Sequence, residues 1–198
     1  MGRTLPNVLV TGVPGAGKTT LAEALETAWQ AERVDVAKLI QEQHLYSEFD
    51  TERNCTVYDA DAVYDELDAL VASGGVIVDF HSVDFMALRR WFDLLVVLHV
   101  PTDVLWERLE NRGYNEAKIA ENVECEIMRE IDNEVEEYFV ETHTCQFQKH
   151  DLITLIQTTT PPSDLEPHVC VIEINEHLQP NLQDIVDKLT HWKNKHFT

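Results

Sequence analysis

Residues 10–20 read VTGVPGAGKTT, and the reading of this stretch decides the rest of the chain. From Gly12 to Thr19 the spacing fits GxxxxGK followed by Ser or Thr. A loop of that composition closes around phosphate oxygens. Its backbone N–H groups point inward, the lysine reaches the outer phosphates, and the hydroxyl enters a Mg²⁺ shell. Pro14 has no N–H, so the cradle is expected from the amides of Gly15, Ala16, Gly17, Lys18 and Thr19, aided by the positive end of a following helix. A loop that merely turns has no use for Lys18 or Thr19.

The motif requires a buried strand before it and a helix after it. NVLVT at 7–11 supplies the strand, and Leu21, Ala24, Leu25 and Ala28 recur at helical spacing behind Lys18. Three more apolar runs, VIVDF at 76–80, LLVVLHV at 94–100 and VCVIEI at 169–174, read as buried parallel strands, and the weaker VDVA at 34–37 makes five. Helices are expected from Asp59–Asp61 to a stop at Gly74 with Val63, Leu67 and Leu70 inward, over 103–111, as one long acidic helix over 116–140, and over 182–192. Alternating elements of this kind make an α/β protein, a five-stranded parallel sheet flanked by helices. Residues 141–167 break at Pro161 and Pro162 and read as an inserted excursion with a short helix at 150–157.

At 198 residues the chain is expected to form a single domain over 1–198. Its 36 acidic against 15 basic residues give a net charge of −21, which argues against a broad nucleic-acid groove and suits either a solvated surface or a basic protein partner. No run approaches a membrane span and no secretory pattern opens the chain, so a soluble, intracellular protein is expected. Cys55, Cys125, Cys145 and Cys170 show no paired spacing and are read as reduced thiols. His143, Cys145, His150, His168 and Cys170 lie close in sequence. His168 and Cys170 share a strand face without needing a metal, so no zinc site is expected there.

The remaining chemistry concentrates at strand ends. Asp79 closes the VIVD run beside the phosphate loop, where a phosphoryl-transfer enzyme holds Mg²⁺, often through water. His81 follows two residues on, placed to orient a water or assist a conformational step. Cations are scarce, which makes Arg89, Arg90, Arg108 and Arg112 informative: phosphoryl transfer needs positive charge on the equatorial oxygens. Arg108 and Arg112 share a helix face just before Gly113, and RLENRGYNEAK reads as the hinge and arm of a lid over 111–121.

Together GVPGAGKTT, VIVDFH, DADAVYDEL and RGYNEAKIAENVECEI resemble the adenylate kinase isoenzyme 6 family over about 6–140 and 171–195. The resemblance implies a nucleoside monophosphate kinase-like phosphate-loop fold with a short lid, transfer of the ATP γ-phosphoryl group to AMP, ATP hydrolysis, and work in small ribosomal subunit maturation through a basic ribosomal protein. It implies a nuclear as well as cytoplasmic location. Gly15, Gly17, Lys18, Thr19 and Thr20 resemble the ATP-phosphate contacts, Asp79 and His81 the Asp-x-His pair tied to Mg²⁺ and hydrolysis, and Arg112 the lid arginine on ATP. The monophosphate region falls at 34–56. This chain departs from the family pattern at Gln41, where a basic residue is usual, at Ala87 to Arg90, and in the excursion 141–167. Two outcomes are therefore expected: AMP kinase with ATPase activity, or an ATPase assembly factor with little transfer to AMP. A small-metabolite kinase for shikimate or gluconate needs an acceptor cluster that only Arg89 and Arg90 offer.

Overall fold

Strand β1 (Val8–Thr11) is buried along its whole length, as an apolar run without alternation requires. It lies between β5 (Val76–Asp79) and β6 (Leu94–His99), both parallel to it. Strand β2 (Glu32–Asp35) pairs outside β5, and β8 (His168–Glu173) outside β6, again parallel. A two-residue strand, β7 (Thr154–Leu155), closes the β8 edge antiparallel. The computed structural model describes residues 3–50, 55–83, 91–138, 154–155, 168–173 and 178–197.

Among the described residues the sheet is thus six-stranded, in the order β2-β5-β1-β6-β8-β7, against the five strands expected. The extra strand is too short to leave a pattern, and it lies where a helix is expected over 150–157. The rest of that excursion lies outside the described residues. A hairpin of β3 (Tyr46–Asp50) and β4 (Cys55–Tyr58) forms a second, separate sheet that begins in the 34–56 region and runs two residues past it, which the sequence did not signal. The 34–37 run is divided: β2 stops at Asp35, whose side chain accepts from the Lys38 N–H and starts helix α2 (Val36–Glu42).

Helix α1 (Lys18–Trp29) buries Leu21, Ala22, Leu25 and Trp29, and the expected Ala28 is exposed instead. Trp29 takes that role because helix α7 (Leu178–His196) packs on it, with Trp29 Nε1 donating to Thr190 Oγ1 at 2.8 Å and Lys193 Nζ 5.6 Å from the ring centroid. Helix α3 (Ala60–Val71) is capped by Asp59 and buries Val63, Leu67 and Val71. Helix α4 (Thr102–Asn111) buries Leu105 and Leu109. The long acidic helix expected over 116–140 is two helices, α5 (Glu116–Met128) and α6 (Glu130–Tyr138). Arg129 separates them at φ 54, its N–H turned back to the Cys125 and Glu126 carbonyls. The core joins the central strands to α1, α3, α4 and α7. Leu95 is fully buried within it, and its truncation to Ala costs about 2–5 kcal/mol. No described helix is long and apolar enough to cross a membrane.

Candidate active site

The carboxyl ends of β1, β5 and β6 open onto the loop between β1 and α1. Gly12, at φ 146, lies so close to β6 that a Cβ there would sit 2.6 Å from the Leu98 carbonyl oxygen. Gly15, at φ 93, leaves no more room, since a Cβ would meet Leu105 Cδ1 of α4 at 2.9 Å. The Ala16 N–H closes the turn on the Val13 carbonyl at 3.1 Å. Both glycines therefore answer to backbone shape and to contact, and the loop is clasped between strand β6 and helix α4.

Lys18 lies across this loop, donating from Nζ to the carbonyl oxygens of Gly12 at 2.9 Å and Val13 at 3.2 Å. Burial pushes its ammonium down to about 8, Arg112 adds to that, and the Asp79 and Asp35 carboxylates oppose it. Asp79 ends β5 with Asp35 of β2 in register beside it. Its side chain is buried, with Oδ2 lacking a hydrogen-bond partner among the described residues. Burial raises its carboxyl above the usual range, against the neighbouring Thr19 hydroxyl and Lys18, which lower it.

A buried carboxylate oxygen without a partner, next to a hydroxyl at the mouth of an anion-binding loop, is a fitting donor set for a hard cation held partly through water. Thr19 and Asp79, the two residues expected to hold Mg²⁺, are brought together by the fold. Asp35 adds a second carboxylate alongside, which sequence spacing did not reveal because it comes from another strand.

The arginines arrive from α4. Arg108 donates from Nη1 to the Gly15 carbonyl at 2.9 Å, and its guanidinium is depressed by burial and by Arg112. Arg112 ends α4 as its C-cap, exposed, with its charge felt by both Lys18 and Arg108. Gly113 follows at φ 76 and Asn115 caps α5 by accepting from the Lys118 N–H, so the 111–121 region is a tight helix–turn–helix corner. His81 is exposed, its ring 4.4 Å from that of Phe80, which in turn meets Tyr58 edge-on at 5.7 Å. Gln41 is exposed on α2. Arg89 and Arg90 lie outside the described residues, as does most of the cysteine–histidine cluster. Cys170 is a buried free thiol, pushed up to about 12 by burial.

One buried polar group near the site went unnoticed in the sequence. His99 contacts Glu126 Oε1 through Nδ1 at 3.0 Å and Asp132 Oδ2 through Nε2 at 3.0 Å. The signal was present: Glu126 stands seven residues after Ile119 on the buried face of α5, and a buried carboxylate demands a partner.

A profile described as an AAA domain matches residues 8–129. An adenylate kinase isoenzyme 6 homolog from Caenorhabditis elegans is 36% identical over 98% of this chain and 94% of its own length. Another from Schizosaccharomyces pombe is 34% identical over 98% of this chain and 97% of its own. Among solved structures, shikimate kinase from Acinetobacter baumannii superposes with a TM-score of 0.56 at 15% identity, covering 96% of this chain and 93% of that one, which speaks for the fold alone. The chain belongs to the adenylate kinase isoenzyme 6 family of phosphate-loop enzymes.

Proposed function

We propose that the protein binds Mg²⁺-ATP on residues 12–20 and that transfer of the γ-phosphoryl group to water is its main reaction, with transfer to AMP weaker. What carries the reading is Thr19 beside Asp79, whose Oδ2 has no partner among the described residues, close to Lys18 in a loop that Arg108 of α4 also binds. The acceptor region, by contrast, presents Gln41.

The loop amides of Gly15, Ala16, Gly17, Lys18, Thr19 and Thr20 hold the phosphate oxygens. Lys18 exchanges two neutral carbonyl partners for anionic oxygens, which restores the charge that burial disfavours. Thr19 and Asp79 would hold Mg²⁺, which when bound offsets charge on the β- and γ-oxygens. Arg112 adds positive charge as the bond between γ-phosphorus and the bridging oxygen breaks and the water oxygen takes its place. His81 orients that water or follows the accompanying conformational step. The charge of −21 suits a basic partner, by resemblance a small-subunit ribosomal protein met in nucleus and cytoplasm. The α4–α5 corner over 111–121 then acts as a short lid.

AMP kinase activity is the second reading, favoured by the kinship to adenylate kinase homologs. ADP formation from ATP, measured with and without AMP, separates the two. AMP-independent release of phosphate that fails in His81→Ala supports the first, whereas ADP formed at twice the ATP consumed and only with AMP supports the second.

A further inference from the structure

His99, Glu126 and Asp132 come from three elements and meet at one buried point. His99 is the last residue of β6 and is 2% exposed; Glu126 comes from α5 and Asp132 from the first turn of α6. The same Glu126 oxygen that faces His99 Nδ1 also accepts from the Val100 N–H at 3.2 Å. Val100 leads directly into Pro101, whose carbonyl receives the first helical bond of α4, from the Leu105 N–H at 2.9 Å. Helix α4 runs outward carrying Arg108 and Arg112, turns at Gly113, and returns as α5 to place Glu126 back at the start of α4. One carboxylate therefore ties the outgoing root of the corner to its returning end.

We propose that His99, Glu126 and Asp132 form an ionic latch at the root of the α4–α5 corner and act as positioning residues, setting where Arg108 and Arg112 stand over the phosphate loop. This rests on the reading of that loop as the site of ATP turnover.

Leverage gives the latch its weight. Arg112 lies roughly 16 Å along the helix from Pro101, so a tilt of about 5° at the root displaces it by roughly 1.4 Å. A displacement near 1 Å at a reacting centre costs on the order of 10²-fold in rate. An apolar trio would fill the same space with less desolvation cost, but it would not fix direction, whereas hydrogen bonds donated by both ring nitrogens and by the Val100 N–H do.

Burial opposes a charge on His99, yet Asp132 and Glu126 outweigh it and push the imidazole up to about 9, so the latch is closed at neutral pH. The groups facing it are Glu126 from α5 and Asp132 from α6, with Arg129 Nη1 3.8 Å from Asp132 and the backbone of Glu173 in register on β8. Deprotonation leaves two carboxylates to share one neutral ring with a single N–H, so one of them loses its donor and the root is held less firmly, by the Val100 bond and the remaining ring bond.

The test is ATP turnover by the full chain between pH 6 and 10, in wild type and in His99→Gln, Asp132→Asn and His99→Arg, with melting temperatures alongside. We expect His99→Gln to lower kcat by about tenfold or more with KM within roughly twofold, and Asp132→Asn, whose side chain is 24% exposed, to do the same more mildly while staying folded. Arginine retains the cation and several donors, so His99→Arg keeps kcat level at alkaline pH where wild type loses it. Lys18 is common to both proteins, and its titration cancels in the comparison. Wild-type kcat in folded His99→Gln or Asp132→Asn, or a His99→Arg profile that coincides with that of wild type, overturns the latch alone. A wild type that turns over no ATP overturns the function, and the latch with it.

Discussion

Arg108 of α4 donates from Nη1 to the carbonyl oxygen of Gly15 at 2.9 Å, joining helix and phosphate loop across 93 positions of sequence. The bond fixes α4 against the loop from above, as Leu105 and Leu109 do from its apolar side. Arg112, one turn further, is left exposed, close enough for its charge to act on Lys18. Arg108 thus ties the arm to the loop partway along α4, and the exposed Arg112 is the guanidinium proposed to meet phosphate.

Arg112→Ala is expected to lower turnover by roughly 10²–10³-fold, the usual consequence of removing a group that meets developing charge. Stability should not fall, because Arg112 depresses both Lys18 and Arg108 in the free protein. Steady-state kinetics and a melting curve on the same preparation check both halves.

Asp79→Asn should separate function from stability. The carboxylate is buried with one oxygen lacking a partner among the described residues, and burial raises its titration, so ionisation is a cost to the fold at neutral pH. The amide removes that cost. The melting temperature is expected to rise while Mg²⁺-dependent turnover drops by about 10²-fold or more.

His99 and Lys18 give stability opposite slopes at alkaline pH. His99 titrates above its ordinary value, so its contribution is fully present below about pH 6.5 and is lost as pH rises through about 9. Lys18 titrates below its ordinary value, at about 8, so its cost is relieved as pH rises toward 10.5. Urea unfolding from pH 6 to 10 should show His99→Gln losing the falling limb, worth on the order of 3 kcal/mol. Lys18→Met should lose the rising one.

Gln41 offers a gain-of-function test. A hydrogen bond to a charged group contributes about 1.5–3 kcal/mol, so Gln41→Arg is expected to raise AMP-dependent ADP formation by roughly 10–100-fold. AMP-independent hydrolysis should stay as it was. Coupled assays for ADP, run at several AMP concentrations, read both.

The donor side was legible because its residues are neighbours in sequence: Gly12 to Thr19 state their spacing, and Asp79 ends a run of buried valine and isoleucine. Local rules set the parallel strands and most helices, and the structure keeps them. What escaped depends either on contacts between distant segments or on local turns that leave no apolar pattern. Strand β7 has two residues and exists through pairing with β8; the β3–β4 hairpin lacks an apolar alternation; Arg129 breaks an otherwise helical run by adopting a left-handed turn. The His99 cluster and the Arg108–Gly15 bond join elements 27, 33 and 93 residues apart, beyond the reach of any local pattern.

The central claim, that residues 12–20 turn over ATP with water as the main acceptor, is tested most directly by phosphate release from Mg²⁺-ATP in the absence of AMP, comparing wild type with Lys18→Ala. The account predicts steady release by wild type and a fall of about 10²-fold or more in the variant, which loses the cation that meets the outer phosphates. Equal rates in the two proteins, or no release by wild type until AMP is added, would contradict it.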